Sequence, residues 1–160
     1  MKHSILIGFL LLVSAVFVKA NPAGRGFDKA DFYAALSSDK LEDINDQLTQ
    51  VRNSSIIEKD AYEGVLLMKK SGLVANAKEK LSLFKAGRAK LESSISKDNK
   101  NIEYRFLRVI IQEHAPKIVK YRNELEQDSQ LIRDNFKSLP QFLQQVINDY
   151  SKKSKVLKTI

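Results

Sequence analysis

The sequence predicts an all-α protein of about seven helices in antiparallel succession, arranged as a helical bundle or a short repeat array. Beyond residue 27, apolar residues recur every three or four positions, the period of an amphipathic helix, and no strand-like alternation interrupts them. Short polar turns separate these segments, so consecutive helices have to run back along one another. The three prolines stand either before residue 27 or where a helix begins, and the first turn of a helix tolerates proline.

The first twenty residues have the layout of a secretory signal peptide. Lys2 supplies a positive start, an apolar run extends from Ile5 to Val18, and Ala20 stands at the expected cleavage position. The run is shorter than the roughly 20 apolar residues that a membrane span needs. We expect three parts, a signal peptide that is removed, a flexible leader and a single all-α domain with a basic C-terminal end: residues 1–20, 21–27 and 28–160.

Composition points to an exported protein held together by packing alone. The chain has no cysteine, which leaves no disulfide framework and no lipid-anchored cysteine. We therefore expect a secreted protein without a transmembrane segment after cleavage, in a bacterial periplasm. Its formal net charge is +8, and the processed chain stays basic after it loses Lys2 and Lys19. A basic chain favours anionic partners, or simply solubility.

The first two predicted helices span residues 28–36 and 39–51. The second has an apolar side opposite an acidic side. Its apolar residues are Leu41, Ile44, Leu48 and Val51, and its acidic residues are Asp39, Glu42, Asp43 and Asp46. These acids lack the alternating ligands and the glycine of a calcium loop, so we expect a solvated acidic face.

The third predicted helix opens at a capping box. Ser55 can accept a hydrogen bond from the backbone N–H of Glu58, whose side chain can reach back. The helix runs to Ser71 and stops at Gly72, a residue typical of the position just past a helix end. Its middle, residues 61–68, is apolar nearly all the way round, which predicts the most buried helix of the domain.

Glu63 is the one acid within that apolar stretch. Its carboxylate must reach solvent or find a partner, and Arg105 and Arg108 are the natural candidates. Alternatively, apolar surroundings would raise the pKa of Glu63, as in the general acid of a glycan-cleaving enzyme. Such an enzyme needs a second carboxylate across a cleft, and the sequence offers no obvious one.

The fourth predicted helix covers residues 76–97, where Gly87 and Ser94 would let a neighbouring helix approach closely. After a turn at residues 98–101, the fifth covers residues 102–114 and is apolar over most of its circumference. Only a narrow polar strip interrupts it: Arg105, Arg108 and Gln112.

The last two predicted helices open at Pro116 and at residues 138–140. The first of them carries an apolar side made of Ile118, Tyr121, Leu125, Ile132 and Phe136. The second aligns Phe142, Val146, Tyr150 and Leu157.

Residues 84–108 resemble the second half of a tetratricopeptide repeat that continues into the first helix of the next unit. Gly87, Leu91 and Ser94 match the small, bulky and small positions of that family, and the turn at residues 98–99 follows them. The resemblance covers about one repeat, without the proline of the turn and without a matching first half. It implies a binding scaffold with a concave surface, and an irregular helical bundle is the alternative.

Motifs for catalysis and for cofactor binding are missing from the sequence. Residues 21–160 contain one histidine, His114, so neither H-E-x-x-H nor paired imidazoles occur. The chain also has no G-x-S-x-G elbow and no glycine-rich phosphate loop. We therefore expect no enzyme, no cofactor, no metal site and no nucleic-acid partner.

The function that these observations predict is an exported, non-enzymatic helical module that binds a protein or an envelope component. The candidate surface is the polar strip together with Glu63 and Lys70, because arginine on a mostly buried helix is costly unless it is paired or used in recognition. One alternative is the glycan hydrolase that would use Glu63. Another is binding of anionic surfaces by the C-terminal lysines, Lys152, Lys153, Lys155 and Lys158, with Val156, Leu157 and Ile160 forming a weak amphipathic tail.

Overall fold

A computed structural model describes residues 26–158, and this part of the chain contains seven α-helices and no strand. The helices are α1 (Lys29–Ser37), α2 (Leu41–Asn53), α3 (Lys59–Leu73), α4 (Ala77–Lys97), α5 (Ile102–His114), α6 (Leu125–Asn135) and α7 (Gln141–Ser151). Short 3₁₀ turns cover Lys117–Val119 and Phe136–Ser138. The prediction of an all-α fold is confirmed. The predicted signal peptide, residues 21–25 of the predicted leader and Ile160 lie outside the described residues.

Three helices begin at side-chain caps that the sequence makes recognisable. Asp28 accepts a hydrogen bond from the backbone N–H of Ala30 at 2.6 Å at the start of α1. Asn76 and Asn101 do the same at the starts of α4 and α5, with distances of 3.0 and 3.1 Å. Such a cap satisfies a backbone donor that the helix leaves unpaired, and α5 has the predicted bounds.

The predicted ends of the third helix are wrong. No capping box forms, because α3 begins only at Lys59 and Glu58 makes no side-chain cap. The carboxylate of Glu58 instead lies 4.0 Å from the Lys29 ammonium, a contact distant in sequence. Gly72 lies inside α3 with a negative φ, and the helix ends where Val74 becomes extended.

The helix predicted to open at Pro116 is also interrupted. A 3₁₀ turn follows Pro116, and Lys120 takes a left-handed conformation with φ of 47°, which a helix cannot accommodate. The break leaves Ile118 87% exposed and buries Tyr121. Leu157 does not extend the last helix either, since α7 ends at Ser151 and Leu157 is buried beyond it.

The helix α3 lies at the centre of the fold. It contacts α1, α2, α4 and α5, and more of its residues are buried than of any other helix in the described part. Tyr62, Val65 and Leu66 are fully buried there. By the number of buried residues, the prediction of the most buried helix is confirmed.

Two glycines let α3 and α4 cross at very short range, as expected for Gly87. A Cβ on Gly64 would lie 2.7 Å from the carbonyl oxygen of Gly87 and 2.9 Å from the backbone nitrogen of Leu91. A Cβ on Gly87 would lie 2.8 Å from Cγ of Met68. Neither position has room for a side chain without displacing backbone.

Polar contacts between α2 and α3 confirm that these two helices are antiparallel. Between α2 and α3, Arg52 contacts Glu63 and Asn45 contacts Lys70, so the sequence numbers run in opposite directions. None of the helices in the described part is both long and apolar enough to cross a membrane.

Candidate functional site

The polar strip of α5 lies inside the protein, against α6. Arg108 is 4% exposed and its guanidinium makes two hydrogen bonds to Asp128, from Nε at 2.6 Å and from Nη2 at 3.0 Å. Its Nη1 donates to Glu92 at 2.8 Å. Burial lowers the pKa of Arg108, but the hydrogen bonds and charges of Asp128 and Glu92 outweigh burial and raise it. Arg108 therefore stays positively charged, and its contacts with Asp128 join α5 to α6.

The other two residues of the polar strip make contacts at the same interface. Arg105 donates from Nη1 to Asp128 at 3.4 Å and from Nη2 to the carbonyl oxygen of Asn99 at 2.9 Å. Gln112 is fully buried and donates to Glu124 at 2.7 Å. The expectation that this strip is an exposed surface is wrong for Arg108 and Gln112, because α6 covers it.

Glu63 is ion-paired, but not with the predicted arginines. Its carboxylate accepts from Nε of Arg52 at 2.8 Å and lies 3.0 Å from the ammonium of Lys90. Glu63 faces α2 and α4, whereas Arg105 and Arg108 face α6, so the predicted partners point elsewhere. Burial raises the pKa of Glu63, and the hydrogen bonds from Arg52 and Lys90 lower it by more, so the net shift is downwards. The alternative prediction, that the pKa of Glu63 is raised as in a general acid, is therefore wrong.

Lys70 lies apart from both groups. Its ammonium donates to Oδ1 of Asn45 on α2 at 2.8 Å. The five predicted binding residues are therefore divided among three places, namely the α5–α6 interface, the junction of α3 with Arg52 and Lys90, and the outer contact of α3 with α2. The structure does not bring them together as one surface.

The C-terminal lysines are exposed, on a segment that folds back onto the protein. Glu113 accepts hydrogen bonds from the hydroxyls of Tyr150 and Ser154, at 2.8 and 2.7 Å, and from the backbone N–H of Lys155. Leu157 is fully buried. The prediction of an amphipathic tail is therefore wrong, because Leu157 is part of the core and not of an exposed apolar face.

A cleft that the sequence did not predict lies between α1 and α2. It has a volume of about 260 Å³ and is lined by Asp31, Ala34, Ala35, Asp43, Asp46, Gln47 and Gln50. The spacings within each helix place one stripe of α1 opposite one stripe of α2. We call this site the acidic cleft.

The three aspartates of the acidic cleft lack an ion-pair partner among residues 26–158. Asp43 accepts one hydrogen bond, from the hydroxyl of Ser38 at 2.5 Å, and Asp31 and Asp46 accept none there from another side chain. Gln47 is 6% exposed. Within the described part, Oε1 of Gln47 and Oε1 of Gln50 are buried without a hydrogen-bond partner.

Only the part of the acidic cleft that belongs to α2 could be predicted from the sequence. The predicted solvated acidic face already contained Asp43 and Asp46. Gln47 and Gln50 continue the same stripe of α2, since each lies four residues after one of these aspartates. The contribution of Asp31 could not be read from α2, because it depends on how α1 packs.

The described residues contain no group of three histidine or carboxylate side chains placed to hold a metal ion. No family model, no curated protein and no solved structure matches the chain, so the resemblance to tetratricopeptide repeats stays a prediction.

Proposed function

We propose that the chain is an exported, non-enzymatic helical module that binds another protein or an envelope component, in a bacterial periplasm. The observation that carries this proposal is the acidic cleft. It is lined by three aspartates that have no ion-pair partner in the described part: Asp31, Asp43 and Asp46. Ionised carboxylates accept hydrogen bonds and attract positive charge, so a cationic group of a partner would find acceptors there.

The buried charges Arg108 and Glu63 have partners within the fold. Arg108 has Asp128 and Glu92, and Glu63 has Arg52 and Lys90. Arg105 Nε and Gln112 Oε1 also lack partners in the described part, but they belong to the closed α5–α6 interface. In the acidic cleft, by contrast, aspartates without an ion-pair partner in the described part line an open space.

The alternative of a glycan hydrolase draws little support from Glu63. A general acid must keep its proton near neutral pH, which requires a raised pKa. The pKa of Glu63 is lowered instead, with burial opposing its two cationic partners. An assay for release of sugars from cell-wall glycan, with Glu63→Gln as the control, would test this alternative directly.

Binding of anionic surfaces by the C-terminal lysines remains a second candidate. Lys153, Lys155 and Lys158 lie exposed on the stretch of chain that Glu113 anchors. The ammonium of Lys152, the fourth lysine of this candidate, pairs with Asp149 at 2.6 Å. Binding to vesicles that contain an anionic lipid should then weaken as salt is raised. Binding that does not respond to salt would contradict this candidate.

Affinity capture from an envelope fraction tests the main proposal. The immobilised protein should retain a saturable partner that heat-unfolded protein does not retain. Mass spectrometry of the exported protein should find an N-terminus at Asn21. The absence of any saturable partner would contradict the binding function, and an uncleaved N-terminus would contradict the export.

A further inference from the structure

We propose that the turn between α5 and α6 docks on the surface of a membrane that contains anionic phospholipid. This turn covers residues 116–122, and we call it the basic turn. The inference goes beyond the binding of a partner in the acidic cleft and does not depend on it. It also assigns contact with an anionic surface to a different part of the chain from the C-terminal lysines.

The backbone of the basic turn holds one apolar side chain in solvent. The backbone N–H of Val119 donates to the carbonyl oxygen of Pro116 at 3.1 Å. The N–H of Lys120 donates to the carbonyl oxygen of Lys117, also at 3.1 Å. Lys120 then takes its left-handed conformation, which is uncommon for residues other than glycine, asparagine and aspartate. The turn is therefore a defined structure, and it leaves Ile118 87% exposed.

The basic turn carries positive charge that the described part of the protein does not neutralise. Lys117, Lys120 and Arg122 are exposed on the turn itself. None of the three forms an ion pair within residues 26–158. Arg122 donates from Nη2 to the carbonyl oxygen of Glu113 at 3.1 Å, which keeps its guanidinium at the end of α5.

Tyr121 brings a fourth cation from α4 to the basic turn. Its ring lies 5.8 Å from the ring of Phe84, centre to centre. The guanidinium carbon of Arg88 lies 4.6 Å from the centre of the same tyrosine ring. Arg88 is exposed and has no ion-pair partner in the described part. Tertiary packing therefore gathers cations from two separate segments around Ile118.

The two acids that flank the basic turn in sequence are engaged with other parts of the fold. The carboxylate of Glu113 accepts hydrogen bonds from Tyr150 and Ser154 in the C-terminal segment. The carboxylate of Glu124 accepts from the amide of Gln112 on α5. Neither acid forms an ion pair with a cation of the basic turn.

Ile57 provides a comparison within the same chain. It is also exposed, to 95%, but the residue that follows it is the acid Glu58. Single apolar side chains are ordinary on protein surfaces and need no explanation. The feature that distinguishes Ile118 is the group of cations around it.

An anionic membrane surface is complementary to this arrangement. Its headgroups attract lysine and arginine side chains, and its interfacial region takes up an apolar side chain. A nucleic acid or a soluble acidic glycan would match the cations but would leave Ile118 in water. The combination of charge and an exposed isoleucine therefore favours a membrane as the partner.

The first test is sedimentation of the exported protein with vesicles of phosphatidylcholine, either alone or mixed with phosphatidylglycerol. One turn variant is Ile118→Ser. The other combines Lys117→Gln with Lys120→Asn, because asparagine tolerates the left-handed conformation and lacks the charge.

Matched controls change exposed residues away from the basic turn. Ile57→Ser removes an exposed isoleucine, and Lys100→Gln combined with Lys137→Gln removes two exposed cations. A further variant, Lys153→Gln combined with Lys155→Gln, represents the second candidate, binding by the C-terminal lysines.

We expect binding only to vesicles that contain phosphatidylglycerol, and binding that weakens as salt is raised. The double lysine variant of the turn should weaken it about tenfold to thirtyfold, since each cation near an anionic surface contributes a factor of roughly five. Ile118→Ser should weaken it about threefold to tenfold, for partial burial of an isoleucine. The Ile57 and Lys100–Lys137 controls should change it by less than about twofold.

A fluorescent label locates the contact. Because the chain has no cysteine, Ile118→Cys and Ile57→Cys each provide a single site for a dye whose emission depends on polarity. Emission from residue 118 should shift to shorter wavelength on phosphatidylglycerol vesicles, and emission from residue 57 should not.

The inference is overturned if the protein binds no vesicles, or binds neutral ones equally well. It is also overturned if Ile118→Ser binds as tightly as the native protein, which would indicate attraction to any polyanion, or if the label at residue 118 does not shift. If the Lys153–Lys155 variant loses more binding than the turn variant, the inference fails while the second candidate stands.

Discussion

The guanidinium of Arg108 and the carboxylate of Asp128 form a two-point ion pair in the interior, with Nε–Oδ2 at 2.6 Å and Nη2–Oδ1 at 3.0 Å. Asp128 is fully buried and Arg108 nearly so. The paired geometry matches the planar fork of arginine to the two oxygens of a carboxylate. This contact joins α5 to α6 and explains why a polar strip occurs on an otherwise apolar helix.

Removal of Arg108 should strongly destabilise the protein. Arg108→Ala leaves the carboxylate of Asp128 buried without its main partner, and breaking a buried pair in this way costs about 3–5 kcal/mol. Urea denaturation would measure the loss in the free energy of unfolding. Lys137→Ala, at an exposed position, should change it by less than about 0.5 kcal/mol. A small effect at Arg108 would mean that the pair is not buried as described.

The contact between α3 and α4 predicts opposite outcomes for two glycines. Gly87→Ala places a methyl group against the backbone of Gly64 and Met68, and we expect a loss of about 1–3 kcal/mol from overpacking.

Gly72→Ala is the matched control for this prediction. It meets no atom within 4 Å and lies in a helix with negative φ. It should stabilise the protein by about 0.4–1 kcal/mol. Thermal unfolding of both variants checks the pair, and a neutral Gly87→Ala would contradict the close crossing.

The ion pairs of Glu63 predict a dependence of stability on pH. Burial raises the pKa of Glu63, but Arg52 and Lys90 lower it further, so its folded-state pKa lies below the usual 4.5. A group with a lowered pKa contributes stability above its unfolded pKa and loses that contribution as the pH falls through its folded pKa. The difference in unfolding free energy between native protein and Glu63→Gln should therefore be largest near pH 7 and shrink below about pH 4.

Urea denaturation at several pH values would measure this difference. Glu126→Gln, an exposed change on α6, removes the same charge and should show no comparable loss. A difference that grows as the pH falls would contradict the pairing of Glu63.

The anchor of the C-terminal segment predicts a local opening when Glu113 is replaced. Glu113→Ala removes the acceptor for Tyr150, Ser154 and the backbone N–H of Lys155. We expect a loss of about 1–3 kcal/mol and faster hydrogen exchange at the amide of Lys155. Glu126→Ala should leave that exchange rate unchanged. Unaltered exchange in Glu113→Ala would mean that other contacts hold the segment, such as the burial of Leu157 and the hydrogen bond from Arg133 to the carbonyl oxygen of Val156.

The sequence predicted helices well where local chemistry marks their ends. Asn101 caps α5 by accepting a hydrogen bond from the backbone N–H of Tyr104, only three residues further along the chain, and such a cap can be predicted from neighbouring residues. The prediction of a continuous helix after Pro116 was wrong because Lys120 adopts a left-handed conformation, and the next residue, Tyr121, lies in the core. That conformation depends on tertiary packing, which overrides helical spacing.

The candidate sites were harder to predict for the same reason. Arg108 and Gln112 have the composition of a recognition strip, but Asp128 and Glu124 on α6 cover them. The sequence does indicate this pairing. Glu124 and Asp128 are four residues apart on α6, and their partners Gln112 and Arg108 are four residues apart on α5. The acidic cleft needed the packing of α1 on α2, which brings Asp31 to the stripe of α2.

Site-specific photo-crosslinking in cells tests the binding role of the acidic cleft most directly. A photoreactive residue at Ala34, which lines the cleft and is exposed, should form a discrete adduct with a partner in the envelope. The same residue at Ala86, on the exposed face of α4, should form none, and the adduct at Ala34 should weaken when Asp31 and Asp46 are both replaced by asparagine. Adducts of equal yield from both positions, or none from Ala34, would contradict the account.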